Sequence, residues 1–136
     1  MTTDTPSAFA QLVLFSHGEL AGALKSTAEL IIGPQQDITC LALMPGDDVP
    51  AVQSRLVQVV GKTRPTLILV DMPGGTPWNV ALAVAARNSL VRVVSGMNLP
   101  MLLELAISHR GMTIDTLARL ALEVGEEAIQ GGPRPR

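Results

Sequence analysis

Four short apolar runs, each followed by a stretch of helical period, constrain this chain more than any other feature. They are "AQLVLF" (10–15), "DITCLALM" (37–44), "TLILVDM" (66–72) and "LVRVVS" (90–95). Runs of this kind, barely interrupted by polar residues, belong to strands covered on both faces. The intervening segments repeat differently. Leu20, Leu24, Ala28 and Ile31 recur at helical spacing, and Gly33-Pro34 ends that helix. Val49, Val52, Leu56, Val59 and Val60 mark a second helix, with Asp47 or Asp48 as its N-cap and Gly61 as its stop. A third spans 76–88, where Thr76 suits the N-cap and Pro77 the first helical position. A fourth spans 98–111, capped by Asn98, and a fifth spans 113–125. Residues 126–130 read either as a helix end or as a short edge strand.

Strand and helix in alternation imply a parallel sheet with right-handed crossovers. The simplest arrangement is an α/β, flavodoxin-like, doubly wound fold: a four-stranded sheet of order 2-1-3-4 with helices on both faces. Strands 1 and 3 are then neighbours whose crossovers leave in opposite directions. The crevice at their carboxyl ends is the topological switch point, where ligands bind in such sheets.

Length and composition fit one domain over 11–130, with a flexible N-terminus (1–10) and a disordered tail (131–136). Of 136 residues, 47 % are hydrophobic and only 2 % aromatic, so the core must be aliphatic. The formal net charge is −2 and there is no basic run, which argues against nucleic acid as a partner. No apolar run approaches the roughly 20 residues needed to span a bilayer, so no direct membrane insertion is expected. "MTTDTPSAFAQ" lacks the basic start of a secretory signal. The single cysteine, Cys40, falls inside the second strand and is expected to be buried and inert. These features favour a cytoplasmic protein.

One of the two histidines, His17, lies just past the first strand, and Asp71 lies at the end of the third. In the expected order both face the same crevice. A carboxylate there accepts a hydrogen bond from one imidazole nitrogen, fixes the tautomer and leaves the other nitrogen free as a nucleophile. Gly18 allows close backbone approach, and a helix beginning there offers N–H groups to an anion. Gly74 and Gly75 form a second turn with exposed N–H groups, and Thr76 adds a hydroxyl. "SGMNLP" (95–100) is the corresponding loop after the fourth strand and a candidate wall of the crevice. Each residue also has a plainer role as turn, cap or loop, and the joint placement is what favours chemistry. His109, in the last turn of the fourth helix, reads as structural. Trp78 suits packing or a partner contact equally, and Glu19 and Glu104 lie either in the crevice or on its rim. No Walker loop, dinucleotide fingerprint, nucleophile elbow or metal-ligand spacing around His17 is present. No metal and no cofactor is expected.

"SHGELAGALKSTAELIIG" (16–33), "LVDMPGGTPWNVA" (69–81) and "VSGMNLPMLLE" (94–104) together resemble the IIA domain of the mannose class of the sugar phosphotransferase system, over nearly the whole chain. The resemblance implies that His17 is phosphorylated by a histidine-containing phosphocarrier protein and passes the group to a IIB component during carbohydrate uptake. Asp71 matches the carboxylate bonded to the active imidazole, and Thr76 a Ser/Thr position near the phosphoryl group. It also implies a homodimer exchanging a C-terminal antiparallel strand, to be sought over 126–130. Pro73 stands where some members carry an aromatic residue. Many members continue into a IIB domain. This sequence stops at Arg136, so the expected IIB partner is a separate polypeptide. Two other readings share the fold: a stand-alone regulatory module whose phosphorylation state controls a partner, and a non-covalent binder of small anions.

Overall fold

The computed structural model describes residues 9–133. Of the expected tails over 1–10 and 131–136, residues 1–8 and 134–136 lie outside the described residues. The chain runs β1 (Gln11–His17), α1 (Leu20–Ile32), β2 (Ile38–Leu43), α2 (Val49–Val60), β3 (Thr66–Val70), α3 (Thr76–Ala86), β4 (Val91–Val94), α4 (Leu99–Ser108), a 3₁₀ turn (His109–Gly111) and α5 (Ile114–Glu127). The strands form one four-stranded sheet in the order β2-β1-β3-β4, all neighbours parallel. This is the expected flavodoxin-like arrangement.

Period-two alternation divides the core into two layers. Leu12 and Leu14 of β1 join Leu67 and Leu69 of β3 under α1, α4 and α5. Val13 and Phe15 join Ile68 and Val70 on the other face, under α2 and α3. Every residue of β3 is buried, as a strand covered on both faces requires. Ala21 and Ala28 are the buried residues of α1. The same alternation continues to the end of β1. Ser16 falls on the face of Leu12 and Leu14, and His17 on that of Val13 and Phe15.

Helix ends follow local chemistry, with some departures from expectation. Asp48 caps α2 by accepting from the Ala51 amide (3.1 Å), while Asp47 accepts from the Met44 amide (2.8 Å) and closes the preceding turn. Thr76 does not cap α3. The cap is Gly75, whose carbonyl accepts from the Asn79 amide at 3.0 Å, so Thr76 and Pro77 are the first two helical residues. The first helix does not begin at Gly18 either. Gly18 has φ +56°, outside the helical range, and α1 starts two residues later at Leu20. Residues 126–127 complete α5, and 128–130 leave it as turn and coil. The helix-end reading of this segment holds here, and among the described residues no fifth strand forms.

At the amino end of the sheet Asp37 gathers three cationic groups. Its Oδ1 accepts from Arg64 (2.9 Å), and its Oδ2 from His109 Nε2 (2.9 Å) and Arg110 (3.4 Å). His109 is buried, and its Nδ1 faces the carbonyls of Leu105 (3.2 Å) and Ala106 (3.0 Å). Both ring nitrogens therefore face oxygen atoms, Nε2 the Asp37 carboxylate and Nδ1 the carbonyls at the end of α4. The expected structural role of His109 thus has a definite partner. Ala10 is buried in the core, and Arg110 stacks over the Phe9 ring at 5.5 Å.

The Arg64 and His109 hydrogen bonds hold the Asp37 carboxyl down at about 2, against an ordinary 3.8. A depressed folded value means stability that is complete above the unfolded value and lost as pH falls through the folded one. Asp37→Asn should therefore be less stable at neutral pH, by about 2 kcal/mol, and should lose less stability than the wild type between pH 5 and pH 2. Urea unfolding across that range checks both.

Candidate functional site

β1 brings His17 to the carboxyl edge of the sheet as its last residue, paired in register with Leu43 of β2. Asp71 follows directly after β3. Its Oδ2 accepts two hydrogen bonds from the same residue, from the His17 amide at 2.9 Å and from His17 Nδ1 at 2.8 Å. Its Oδ1 accepts from the Met72 amide at 2.9 Å. Burial by itself would raise the Asp71 carboxyl. The His17 amide, the His17 ring and the Met72 amide outweigh it, and the group lies below its ordinary value. Asp71 is therefore a carboxylate at neutral pH.

The bond to that carboxylate puts the proton on Nδ1, which leaves the Nε2 lone pair outward. The His17 side chain is 47 % exposed while that of Asp71 is 12 % exposed, so the ring is accessible and its anchor is not. Nε2 has no hydrogen-bond partner among the described residues. This arrangement leaves an oriented ring nitrogen open at the protein surface.

Gly75 lies against the ring. A Cβ at this position would come within 2.9 Å of His17 Cε1 and 3.5 Å of Nε2. The close approach explains why the cap position of α3 holds a glycine. It also places the first turn of α3 beside the outer ring nitrogen, with Thr76 half-buried within it. Gly74, at φ +84°, makes the turn that leads into this approach. Helix N-termini of this kind present N–H groups to anions.

The turn after His17 offers less than expected. The Gly18 amide is committed to the Leu43 carbonyl (2.8 Å), and the Ala21 amide to Ser16 Oγ (2.9 Å). The Ser16 hydroxyl also donates to the Gly18 carbonyl (3.3 Å). This fully buried serine ties the turn to α1 in place of Glu19, whose side chain makes no cap bond. Sequence reading missed Ser16. Its parity in β1 was the available signal, since it points a hydroxyl into the layer that α1 covers.

The remaining candidates lie apart from the His17–Asp71 pair. Glu19 is exposed beside His17, whereas Glu104 sits within α4 and accepts from Ser108 (2.9 Å). Trp78 is half-buried and packs against the α2/α3 layer. Cys40 is half-buried, donates to the Ala21 carbonyl (3.4 Å), and its thiol is pushed up by burial. A cleft of about 440 Å³ between α1 and β2 is lined by Gly22, Ser26 and Cys40 among others, and His17 is not part of it. No cluster of metal-ligating side chains occurs among the described residues. No helix among them is long and apolar enough to cross a membrane.

Residues 11–122 match the sequence family described as the PTS system fructose IIA component. The chain is 30 % identical over 119 residues to the sorbose-specific EIIA component of Lacticaseibacillus casei, covering 86 % of each protein. It is also 30 % identical to the mannose-specific EIIAB component of Escherichia coli K12, covering 88 % of this chain and 38 % of that one. Among solved structures, the mannose/sorbose-specific IIA subunit from Enterococcus faecalis superposes with a TM-score of 0.85 at 31 % identity, covering 94 % of this chain and 98 % of the other.

The Gly75 contact yields a direct test. Gly75→Ala should push the imidazole off its position and weaken the His17–Asp71 bond while the fold persists. The ¹⁵N shifts of the His17 ring should move from a fixed Nδ1–H tautomer toward the averaged values of a free histidine. Unchanged ring shifts would show that the ring does not depend on this close approach.

Proposed function

The chain belongs to the mannose-class IIA components of the phosphoenolpyruvate-dependent sugar phosphotransferase system, and from that premise we propose that it carries a phosphoryl group on Nε2 of His17. The donor is the phosphohistidine of the histidine-containing phosphocarrier protein, and the acceptor is a IIB component serving carbohydrate uptake. The observation that carries the proposal is the His17–Asp71 pair, with one nitrogen anchored at 2.8 Å and the other free.

In this reading the Nε2 lone pair attacks phosphorus in line. The new N–P bond forms as the donor's N–P bond breaks, and that electron pair returns to the donor imidazole. His17 keeps its Nδ1 proton, so the phosphorylated ring is cationic and the Asp71 carboxylate stabilises it. Onward transfer reverses these roles, with His17 leaving as a neutral imidazole. Neither half-reaction requires a water molecule, a metal or net proton uptake by this chain. The Gly75 and Thr76 end of α3 supplies donors to the phosphoryl oxygens, whose charge of about −2 a helix N-terminus favours. Gly18 and Gly74 keep side chains out of the path of the partner. An exposed ring suits transfer between two protein histidines in a transient, modest interface. The setting of such an exchange is the cytoplasm.

Intact-protein mass after incubation with phosphoenolpyruvate, enzyme I and the phosphocarrier protein tests the proposal. The wild type should gain one acid-labile phosphoryl group. His17→Ala should gain none, and His109→Ala should gain it normally. Asp71→Ala should remain folded and transfer about tenfold to a hundredfold more slowly. Phosphoryl uptake by His17→Ala would remove the assignment.

A further inference from the structure

The "SGMNLP" loop (95–100) is tied to the end of β3. The Met97 amide donates to the Val70 carbonyl at 3.1 Å, beyond the last β3–β4 register pair, Leu69 with Val94. That carbonyl belongs to the peptide unit joining Val70 to Asp71, so its orientation sets the direction from which the Asp71 side chain departs. Met97 is itself buried in the layer under α1, α4 and α5.

The adjoining Asn98 uses both ends of its side chain. Its Oδ1 accepts from the Met101 amide at 3.0 Å, an ordinary N-cap of α4. Its Nδ2 donates to the Gly125 carbonyl at 3.1 Å, in the last turn of α5. Gly125 is buried, and a Cβ there would lie 2.5 Å from Met101 Cε and 3.8 Å from Asn98 Nδ2. The end of α5 is thus seated directly on the start of α4, and Asn98 is the polar pin between them.

We propose that Asn98 is a positioning residue for His17, acting through the chain of contacts Gly125–Asn98–Met97–Val70–Asp71. An N-cap requires only the oxygen of this side chain. The amide nitrogen has a separate task, which is to hold the 95–98 loop between α5 and the end of β3 so that the Val70 peptide unit cannot turn. The seating of α5 then bears on the geometry of the nucleophile without touching it. The kinetic consequence rests on the phosphoryl-carrier reading above; the structural consequence does not.

Asn98→Asp separates the two tasks. It keeps a cap oxygen for Met101, but sets a second carboxylate oxygen against the Gly125 carbonyl. Asn98→Ala removes both contacts. Two readouts are needed: the ¹⁵N shifts of the His17 ring, and the rate constant for phosphoryl uptake from the phosphocarrier protein. The Asp variant should fold, show a smaller fraction of the fixed Nδ1–H tautomer, and accept the phosphoryl group about fivefold more slowly. Wild-type ring shifts in a folded Asp variant, with only the Ala variant losing stability, would make Asn98 a helix cap and overturn the proposal. If the wild type itself takes up no phosphoryl group, the functional assignment falls, and the ring shifts still decide the role of Asn98.

Discussion

The site depends on the register of β1 against β3. With Phe15 opposite Val70, β1 runs two residues past the end of β3, and its last residue, His17, meets Asp71 at one edge. The His17 amide can then reach the same carboxylate oxygen as the His17 ring. Displacing the pairing by one residue would move Ser16 to the α2/α3 face and His17 to the α1 face, away from Gly75. The register is protected by the fully buried apolar residues on both faces of β3, for which any slip exchanges one packed layer for the other. The geometry at the edge is therefore secured by packing in the middle of the sheet.

Around this edge each loop contributes one backbone device. Gly18 turns the chain away from the ring, Gly75 admits the ring, and Met97 closes the end of β3. Much of the local polar material is committed to structure. Ser16, Asp47, Asp48 and Asn98 spend side-chain atoms on backbone groups of turns and helix starts. The imidazole Nε2 is left as an accessible, uncommitted atom on a frame that holds the rest of its ring.

The order and type of the elements were legible because strand and helix periods differ plainly in this chain. His17, Asp71 and the Gly-Gly-Thr turn were legible because a parallel sheet brings its carboxyl ends together. What sequence reading missed depends on distance or on exact approach. His109 meets Asp37 across 72 positions, and only the folded chain places them together. Thr76 has the stronger capping chemistry, yet Gly75 holds the cap, at a position where a side chain would strike the imidazole. The bond from Ser16 to Ala21 could be drawn only once the start of α1 was known. The segment 126–130 was ambiguous by propensity, and within this chain it follows the helix that precedes it.

The first turn of α3 has one more consequence, through Trp78. The chain contains one tryptophan and no tyrosine, and the indole stands three residues after the glycine that touches the imidazole. Ultraviolet emission from this protein therefore arises almost wholly from one turn of helix beside the site. The molecule carries its own optical label, in the helical turn that begins at the glycine packed against the imidazole.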